Sequence, residues 1–365
     1  MKLKMYDFAL IIHPTHEELL HRYEPGMKRK SRHLVRKVLE WMKPFKAAEV
    51  EGLKSNLGRT SKGVLVMCPL LSEQMVGLNP KVVTKAVIEA ARFAETLNVK
   101  IIGLTAFASL VGNRGLDIAS AVKTPVTNGM SFTLAMEPEA IFRGMNYMGI
   151  NPKTAKVVIF GITSPIGKMC LNVLGPYVRK VFATVRNEEK FLMLKASLAE
   201  RNIDLERIDI LSNSVYQADL IVLAANSVPA GFDFTKVKPG TVIFDASYPR
   251  KIPTDLRNDI LVVDGVAIRP PGETKLNFDF GLPEEVCFPC MAEPMILALE
   301  HKYESYSLGK NITPERIKEI YKLGNKHGFE IAELTSGERV ITKEKIVQIR
   351  NAVSATRKKR FFSFR

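Results

Sequence analysis

The stretch KVVIFGITSPIGKMCL, from Lys156 to Leu171, most constrains what this chain can fold into. A β-rich run passes through a glycine turn directly into an apolar helical pattern. Further strand-like and helix-like segments then alternate. These segments are KVFATVR, NEEKFLMLKASLAER, ADLIVLAA, GTVIFDAS and ILVVDGVAI. Strands that alternate with helices at this spacing predict a parallel, doubly wound sheet.

The glycine turn predicts a dinucleotide-binding site. Gly161 ends the strand and Gly167 stands at the start of the helix, so backbone N–H groups can face a pyrophosphate. Ser164 replaces the middle glycine of the pattern, which puts the geometry of the phosphate loop in question. An ordinary tight β-α turn is the alternative. The candidate cofactor-binding residues are Gly161, Thr163, Ser164, Ile166, Gly167, Thr184, Arg186, Asn187 and Ala225.

The end of the next strand, FATVRNEEK, favours NADPH over NADH as the cofactor. An NAD site usually carries Asp or Glu there for the ribose hydroxyls, whereas Arg suits a 2′-phosphate. Here Thr184, Arg186 and Asn187 precede the first acid, Glu188. The alternative is that Arg186 is a solvated surface residue.

The remainder of the chain predicts an α/β fold with three parts and a tail. ALIIH, KAAEVEGL, KGVLVMCPL and VKIIGLTAF are typical of strands, and helical patterns cover Pro80–Asn98 and Pro138–Ile150. The predicted parts are an N-terminal α/β substrate-binding domain at 1–150, a Rossmann-like doubly wound NADP-binding domain at 151–275, a C-terminal helical segment at 276–355 and a basic-aromatic tail at 356–365.

The formal net charge of +15 indicates an acidic partner, an anionic surface or only solubility. Much of this charge lies in Lys28 to Lys46, which places Leu34, Val35, Val38, Trp41 and Met42 on one helical face, and in the tail RKKRFFSFR, Arg357 to Arg365. We predict that the tail contacts anionic membrane, with a solvated terminus as the alternative. No nucleic acid partner is expected.

Cysteine use and hydropathy predict a cytoplasmic protein, with membrane association through the tail. The four cysteines are scattered, unlike a secreted disulfide framework. No apolar run approaches the roughly 20 residues of a membrane span. The start, MKLKMYDFALIIH, has a short apolar patch without a small-residue cleavage site, so we expect a first strand and not a signal peptide.

Cys287 and Cys290 form a C-x-x-C pair whose role has several interpretations. A zinc site needs four ligands, and Cys68 and Cys170 have no cysteine neighbours, so no metal site is predicted. A redox dithiol usually accompanies a thioredoxin-like fold, which nothing here indicates. The remaining interpretations are a buried structural pair, or one reactive thiol whose pKa is lowered by a helix that starts around Pro289 to Pro294.

Several segments, taken in order, resemble the long-chain acyl-(acyl-carrier-protein) reductase family of cyanobacterial type, which forms fatty aldehydes. They are IIGLTAFAS, VVIFGITSPIG, FATVRN, FDASYPRKI, CFPCMAEPMILALE and GKNITPERIKEIYKLGNKHGF. The resemblance implies NADPH-dependent reduction of an acyl thioester that is carried covalently on Cys290, with acyl carrier protein or acyl-CoA as the donor. The implied substrate-binding residues are Thr105, Gly129, Met130, Phe132 and Glu293.

The chain departs from that family at Met130 and Phe132, where the family carries polar Asn and His. This difference predicts either a more apolar acyl pocket or a changed substrate. Two other functions remain open. One is non-covalent, NAD(P)-dependent oxidation of a small hydroxy or amino acid, as in shikimate-dehydrogenase-like proteins, and the need for Cys290 would distinguish it. The other is a cofactor-binding regulatory protein without turnover.

Overall fold

The computed structural model describes residues 5–14, 26, 30–185, 187–209, 212–224, 231–246, 252, 257–310, 312–337 and 339–363. Two compact units divide the chain. Unit 1 consists of Met1–Ala135 and Ile268–Ala332, and unit 2 consists of Met136–Ala267 and Glu333–Arg365. These boundaries differ from the predicted ones because each unit is built from two separate stretches of chain. The predicted C-terminal helical segment is accordingly shared between the units.

The strands, in chain order, are β1 Tyr6–Ile12, β2 Phe45–Leu53, β3 Gly63–Met67, β4 Val99–Leu104, β5 Val126–Thr127, β6 Val157–Phe160, β7 Lys180–Thr184, β8 Asp204–Arg207, β9 Leu220–Leu223, β10 Val242–Asp245, β11 Leu261–Val263, β12 Gly265–Arg269, β13 Gly272–Lys275, β14 Glu330–Ser336 and β15 Arg339–Val340. The helices are α1 Arg32–Trp41, α2 Ser72–Gly77, α3 Pro80–Thr96, α4 Val111–Arg114, α5 Leu116–Ala121, α6 Met130–Tyr147, α7 Pro165–Leu174, α8 Glu188–Ala199, α9 Pro289–Leu299, α10 Pro314–His327 and α11 Lys343–Ser363.

Unit 1 is built on a six-stranded sheet with the order β13-β2-β3-β1-β4-β5. The strands β3, β1, β4 and β5 are parallel, and β2 and β13 extend the sheet in antiparallel fashion. Nearly every residue of β1 and β3 is buried, as expected for strands covered on both faces. Helix α3 covers one face with Val83, Val87 and Ala90, and Asn79 caps its first turn.

Unit 2 contains a six-stranded sheet with the order β11-β10-β9-β6-β7-β8. All of its strand pairs are parallel. This is the strand order of a Rossmann-like doubly wound fold, in which the chain starts at the centre, winds to one edge and returns to build the other half. The predicted fold class is confirmed. A small third sheet has the order β12-β14-β15.

Two helices differ from the sequence-based prediction. The helix predicted from Pro138 begins at Met130, and Pro138 lies in its interior. A proline at the first helical position is the commoner case, and that preference led to the misplaced start. Helix α9 begins at Pro289 and continues through Pro294, whose ring contacts Gly103 of β4. The predicted tail is continuous in its backbone with α11 up to Ser363, and its side chains from 357 onward lie outside the described residues.

Candidate functional site

The β6–α7 turn of unit 2 lies where the strand order reverses. Strand β6 pairs with β7 on one side and with β9 on the other, so the chain leaves in opposite directions after β6 and after β9. In open parallel sheets such a switch point, at the carboxyl ends of the strands, is where ligands bind. The predicted glycine turn therefore occupies the expected ligand position of this sheet.

Ser164 holds this turn together. Its hydroxyl accepts a hydrogen bond from the Gly167 N–H at 2.9 Å and donates one to the Ala224 carbonyl at 2.8 Å. Ala224 directly follows β9, so one side chain links both sides of the switch point. Ser164 caps α7 and has ordinary extended backbone angles. A serine in place of the middle glycine of the pattern therefore causes no backbone strain here. This answers the question that the sequence raised about the loop.

The two glycines are each required by the close approach of strand and helix. Gly161 has a φ of +77°, which disfavours any side chain. A Cβ on Gly167 would contact the Gly161 carbonyl and lie 2.7 Å from the Ile162 Cα. Because neither position carries a side chain, the backbone at the start of α7 stays accessible there, and a pyrophosphate site requires such access.

The structure describes some of the other predicted cofactor residues and not others. Thr163 is exposed in the turn, and Thr184 ends β7 beside Phe160. The Asn187 amide oxygen caps α8 by accepting the Lys190 N–H at 2.8 Å. The Ile166 side chain, and Arg186 and Ala225 altogether, lie outside the described residues. The predicted contact of Arg186 with a 2′-phosphate therefore stays a prediction.

Unit 1 has a switch point of its own, between β1 and β4. Strand β1 pairs with β3 on one side and β4 on the other. His13 follows β1, and Thr105, Ala106 and Phe107 follow β4. The Cys290 sulfur lies at this place, because it accepts the backbone N–H of Ala106. The sequence alone did not single out His13 or Ala106, which lie in the predicted strands ALIIH and VKIIGLTAF.

Cys290 occupies the first turn of α9 and keeps part of its surface exposed. Burial of its surroundings raises the pKa of the thiol to about 11, although the backbone N–H groups of Ala106 and Met291 favour the thiolate. The predicted lowering of this pKa is therefore wrong, because desolvation outweighs the helix N-terminus. Cys287 is completely buried, and burial raises the pKa of its thiol even further.

Gly129 packs directly against Cys290. It has a φ of +73°, and a Cβ placed there would lie 2.6 Å from both the Cβ and the carbonyl oxygen of Cys290. Pro294 has no N–H to offer the Cys290 carbonyl four residues earlier, and that carbonyl oxygen lies on the side of Gly129. Gly129 is thus a neighbour of the thiol, and its expected role in substrate binding stays a prediction.

Glu293 is fully buried and serves as an internal hydrogen-bond acceptor. Its carboxylate accepts the Thr127 hydroxyl, the Phe132 N–H at 2.8 Å and further bonds from Ser307 and Ser131. Burial raises the pKa of this carboxyl above its usual range, and these donors act against that increase. The carboxylate therefore fastens α9 to β5 and to the start of α6. Its predicted role as a substrate ligand does not fit this environment.

The remaining predicted substrate residues are Thr105, Phe132 and Met130. The Thr105 hydroxyl donates to the Ile11 carbonyl at 2.8 Å. Phe132 is 1% exposed and packs edge-to-face against Phe329, so it belongs to the core and not to the wall of an apolar pocket. The Met130 N–H donates to the Asn128 side chain at 3.0 Å and begins α6. Phe132 therefore does not line an apolar acyl pocket, whereas Met130 is only half-buried.

His13 is held as a neutral imidazole. Its Nε2 accepts the Phe107 N–H at 3.1 Å, which leaves the proton on Nδ1, 3.2 Å from the Pro14 carbonyl. Burial lowers the pKa of His13 to about 4. The ring therefore orders the segment after β4, next to the residue that contacts Cys290.

Among the described residues, no group of three or more His, Cys, Asp and Glu side chains is arranged to hold a metal ion. None of the helices that the structure describes combines the length and apolar character needed to cross a membrane.

No family model matches the chain. A curated relative is the aminotransferase PigE of Serratia sp. (strain ATCC 39006), 28% identical over 312 residues, which covers 82% of this chain and 36% of that protein. The chain thus spans about a third of the length of this relative.

Three similar solved structures are dehydrogenases. They are L-tryptophan dehydrogenase from Nostoc punctiforme (10% identity, 97% of this chain and 89% of that chain, TM-score 0.36), quinate dehydrogenase from Corynebacterium glutamicum with NAD (12%, 88% and 99%, 0.33), and shikimate 5-dehydrogenase from Listeria monocytogenes with shikimate and NAD (12%, 86% and 96%, 0.31). The curated relative is an aminotransferase. The predicted membership of the acyl-(acyl-carrier-protein) reductase family is therefore wrong.

Proposed function

We propose that this chain is an NAD(P)-dependent oxidoreductase that interconverts a small hydroxy or amino acid with the corresponding carbonyl compound, without a covalent intermediate. The observation that carries the proposal is the turn at the switch point of unit 2. Gly161 and Gly167 approach each other closely there, and Ser164 links the start of α7 to Ala224. This combination fits a dinucleotide pyrophosphate.

The chain's own residues would bind and orient the cofactor. Backbone N–H groups of the turn and the positive end of α7 would face the pyrophosphate. The strand-end segment Thr184 to Asn187 has no acid, which favours a 2′-phosphate and hence NADP(H), with Arg186 as its partner. A bound nicotinamide would supply or accept the hydride.

A small, polar substrate is favoured by the residues around Cys290. Phe132, one of the two positions expected to line an apolar acyl pocket, and Glu293, an expected substrate-binding residue, are instead buried in the packing of unit 1. Burial raises the pKa of the Cys290 thiol to about 11, so the thiol is mostly protonated at neutral pH. Cys290 is therefore poorly suited to act as a nucleophile, and we assign it no covalent step.

The test begins with dinucleotide binding. We expect Gly167→Ala to weaken binding of NADPH strongly, because its Cβ would collide with Gly161, whereas Gly77→Ala should leave binding unchanged, because nothing lies within 4 Å of a Cβ there. Arg186→Ala should weaken binding of NADPH and spare NADH. Calorimetric titration measures each affinity. Absence of dinucleotide binding by the wild-type chain would refute the proposal.

Turnover is then followed at the nicotinamide absorbance with a panel of hydroxy and amino acids. Cys290→Ala should retain most activity. The panel should also include acyl-CoA and acyl-carrier-protein thioesters. NADPH oxidation with these thioesters alone, lost in Cys290→Ala, would contradict the proposal. Tight dinucleotide binding without turnover of any compound would favour the regulatory alternative.

A further inference from the structure

Helix α1 carries an apolar stripe that the fold leaves uncovered. The stripe consists of Leu34, Val38 and Trp41, one above the other on the helix, together with Phe45 at the start of β2. Their exposed fractions are 46%, 41%, 83% and 41%. Exposed apolar side chains that occur singly are normal, but a contiguous group marks an interaction surface.

Packing within unit 1 accounts for a different face of this helix. Val35 and Leu39 are 3% and 1% exposed and cluster with Leu71. These two side chains attach α1 to the body of unit 1. The stripe is therefore presented outward from a helix that is already fixed.

The chain segment that carries the stripe is basic. The segment from Lys28 to Lys46 contains eight Lys and Arg residues and one Glu. Lys37 pairs with Glu40 at 3.2 Å and Lys43 with Glu89 at 3.4 Å, but these are surface pairs, and the Lys43 side chain is 82% exposed. Surface pairs of this kind are weak, so the lysines can exchange their partners for other anions.

We propose that helix α1 docks this protein on an anionic lipid surface, with the stripe inserted at the level of the headgroups and the flanking lysines on the lipid phosphates. A basic amphipathic helix with an aromatic residue on its apolar side is suited to this position. A protein partner would need a groove that matches the stripe. A lipid surface needs none, because its headgroups and acyl chains can move apart around the side chains. A second copy of the chain is disfavoured, because a two-fold contact would bring two basic segments together.

Trp41 provides a direct probe, because it is the only tryptophan of the chain. The full chain is titrated with vesicles of phosphatidylglycerol and phosphatidylcholine, and with pure phosphatidylcholine. We expect a blue shift of Trp41 emission and quenching by brominated acyl chains, both stronger on the anionic vesicles and both weakened by salt.

Paired variants separate the stripe from general surface hydrophobicity. Leu34→Ser with Val38→Ser retains the Trp41 probe and should weaken vesicle partitioning about tenfold. The control, Leu57→Ser with Val76→Ser, removes two side chains of unit 1 that are 55% and 62% exposed and should bind like wild type. Equal partitioning of the stripe variant and the control would overturn the proposal.

Two other results would also overturn the proposal. Vesicle binding without a change in Trp41 emission would place the attachment elsewhere, as at the predicted tail Arg357 to Arg365. A Trp41 shift with a soluble acidic protein such as acyl carrier protein, and none with vesicles, would mean that the stripe binds protein.

Discussion

Gly129→Ala should destabilise unit 1 through two separable costs. The first is conformational, because a residue with a side chain at a φ of +73° costs about 1–2 kcal/mol. The second is steric. The new Cβ would lie 2.6 Å from the Cβ and the carbonyl oxygen of Cys290, whereas non-bonded carbon atoms settle at about 3.5–4.0 Å. The start of α9 would have to move by about 1 Å, and overpacking of this kind costs about 1–3 kcal/mol.

Gly58→Ala is the matched control for the conformational cost. Gly58 has a φ of +79° in the same unit, and nothing lies within 4 Å of a Cβ placed on it. The free energy of unfolding, from urea titrations with unchanged slope, should therefore fall by about 1–2 kcal/mol in Gly58→Ala and by about 2–5 kcal/mol in Gly129→Ala. Equal losses, within about 0.5 kcal/mol, would refute a close contact between Gly129 and Cys290.

Three further predictions concern single side chains. Ser164→Ala should lower the free energy of unfolding by about 1 kcal/mol and weaken dinucleotide binding, and unchanged affinity by calorimetry would contradict its role at the switch point. Because burial raises the pKa of Glu293 above 4.5, the native protein binds that proton more tightly than the unfolded chain. The free energy of unfolding of wild type relative to Glu293→Gln should therefore fall as pH rises from about 4.5 through the folded-state pKa, and parallel pH profiles would refute this. Alkylation of Cys290 by iodoacetamide should accelerate about tenfold per pH unit from pH 7 towards its pKa of about 11, so a plateau below pH 9, seen by mass spectrometry, would disprove the raised pKa.

The fold of unit 2 was predictable because each of its strands, helices and turns can be recognised from a short stretch of sequence. Strands buried on both faces are continuous apolar runs, and each is followed by its own helical pattern and turn. Gly161 and Gly167 can also be recognised from the local sequence, since both belong to one turn between consecutive elements. The glycine turn could therefore be predicted without knowing any contact between distant parts of the chain.

The surroundings of Cys290 were not predictable in the same way. Ala106 and Gly129 meet the thiol only after distant parts of the chain have packed together, and nothing near Cys290 in sequence indicates them. The direction of its pKa shift depended on the same packing, because a position in the first turn of a helix predicted a lower value and burial reversed it. Phe132 was misassigned for a similar reason, since its neighbour Phe329 lies far along the chain.

The discontinuous build of unit 1 affects the order in which this protein can be completed during synthesis. All six strands of the unit 2 sheet come from the single stretch between Val157 and Val263. By contrast, Gly272 of β13 pairs with Leu53 of β2, and helix α9 packs on β1 and β4. Strands β1, β2 and β4 therefore have an unpaired edge or an uncovered apolar face until β13 and α9 have also left the ribosome. In that interval the unpaired edge and the uncovered face of these strands are open to aggregation.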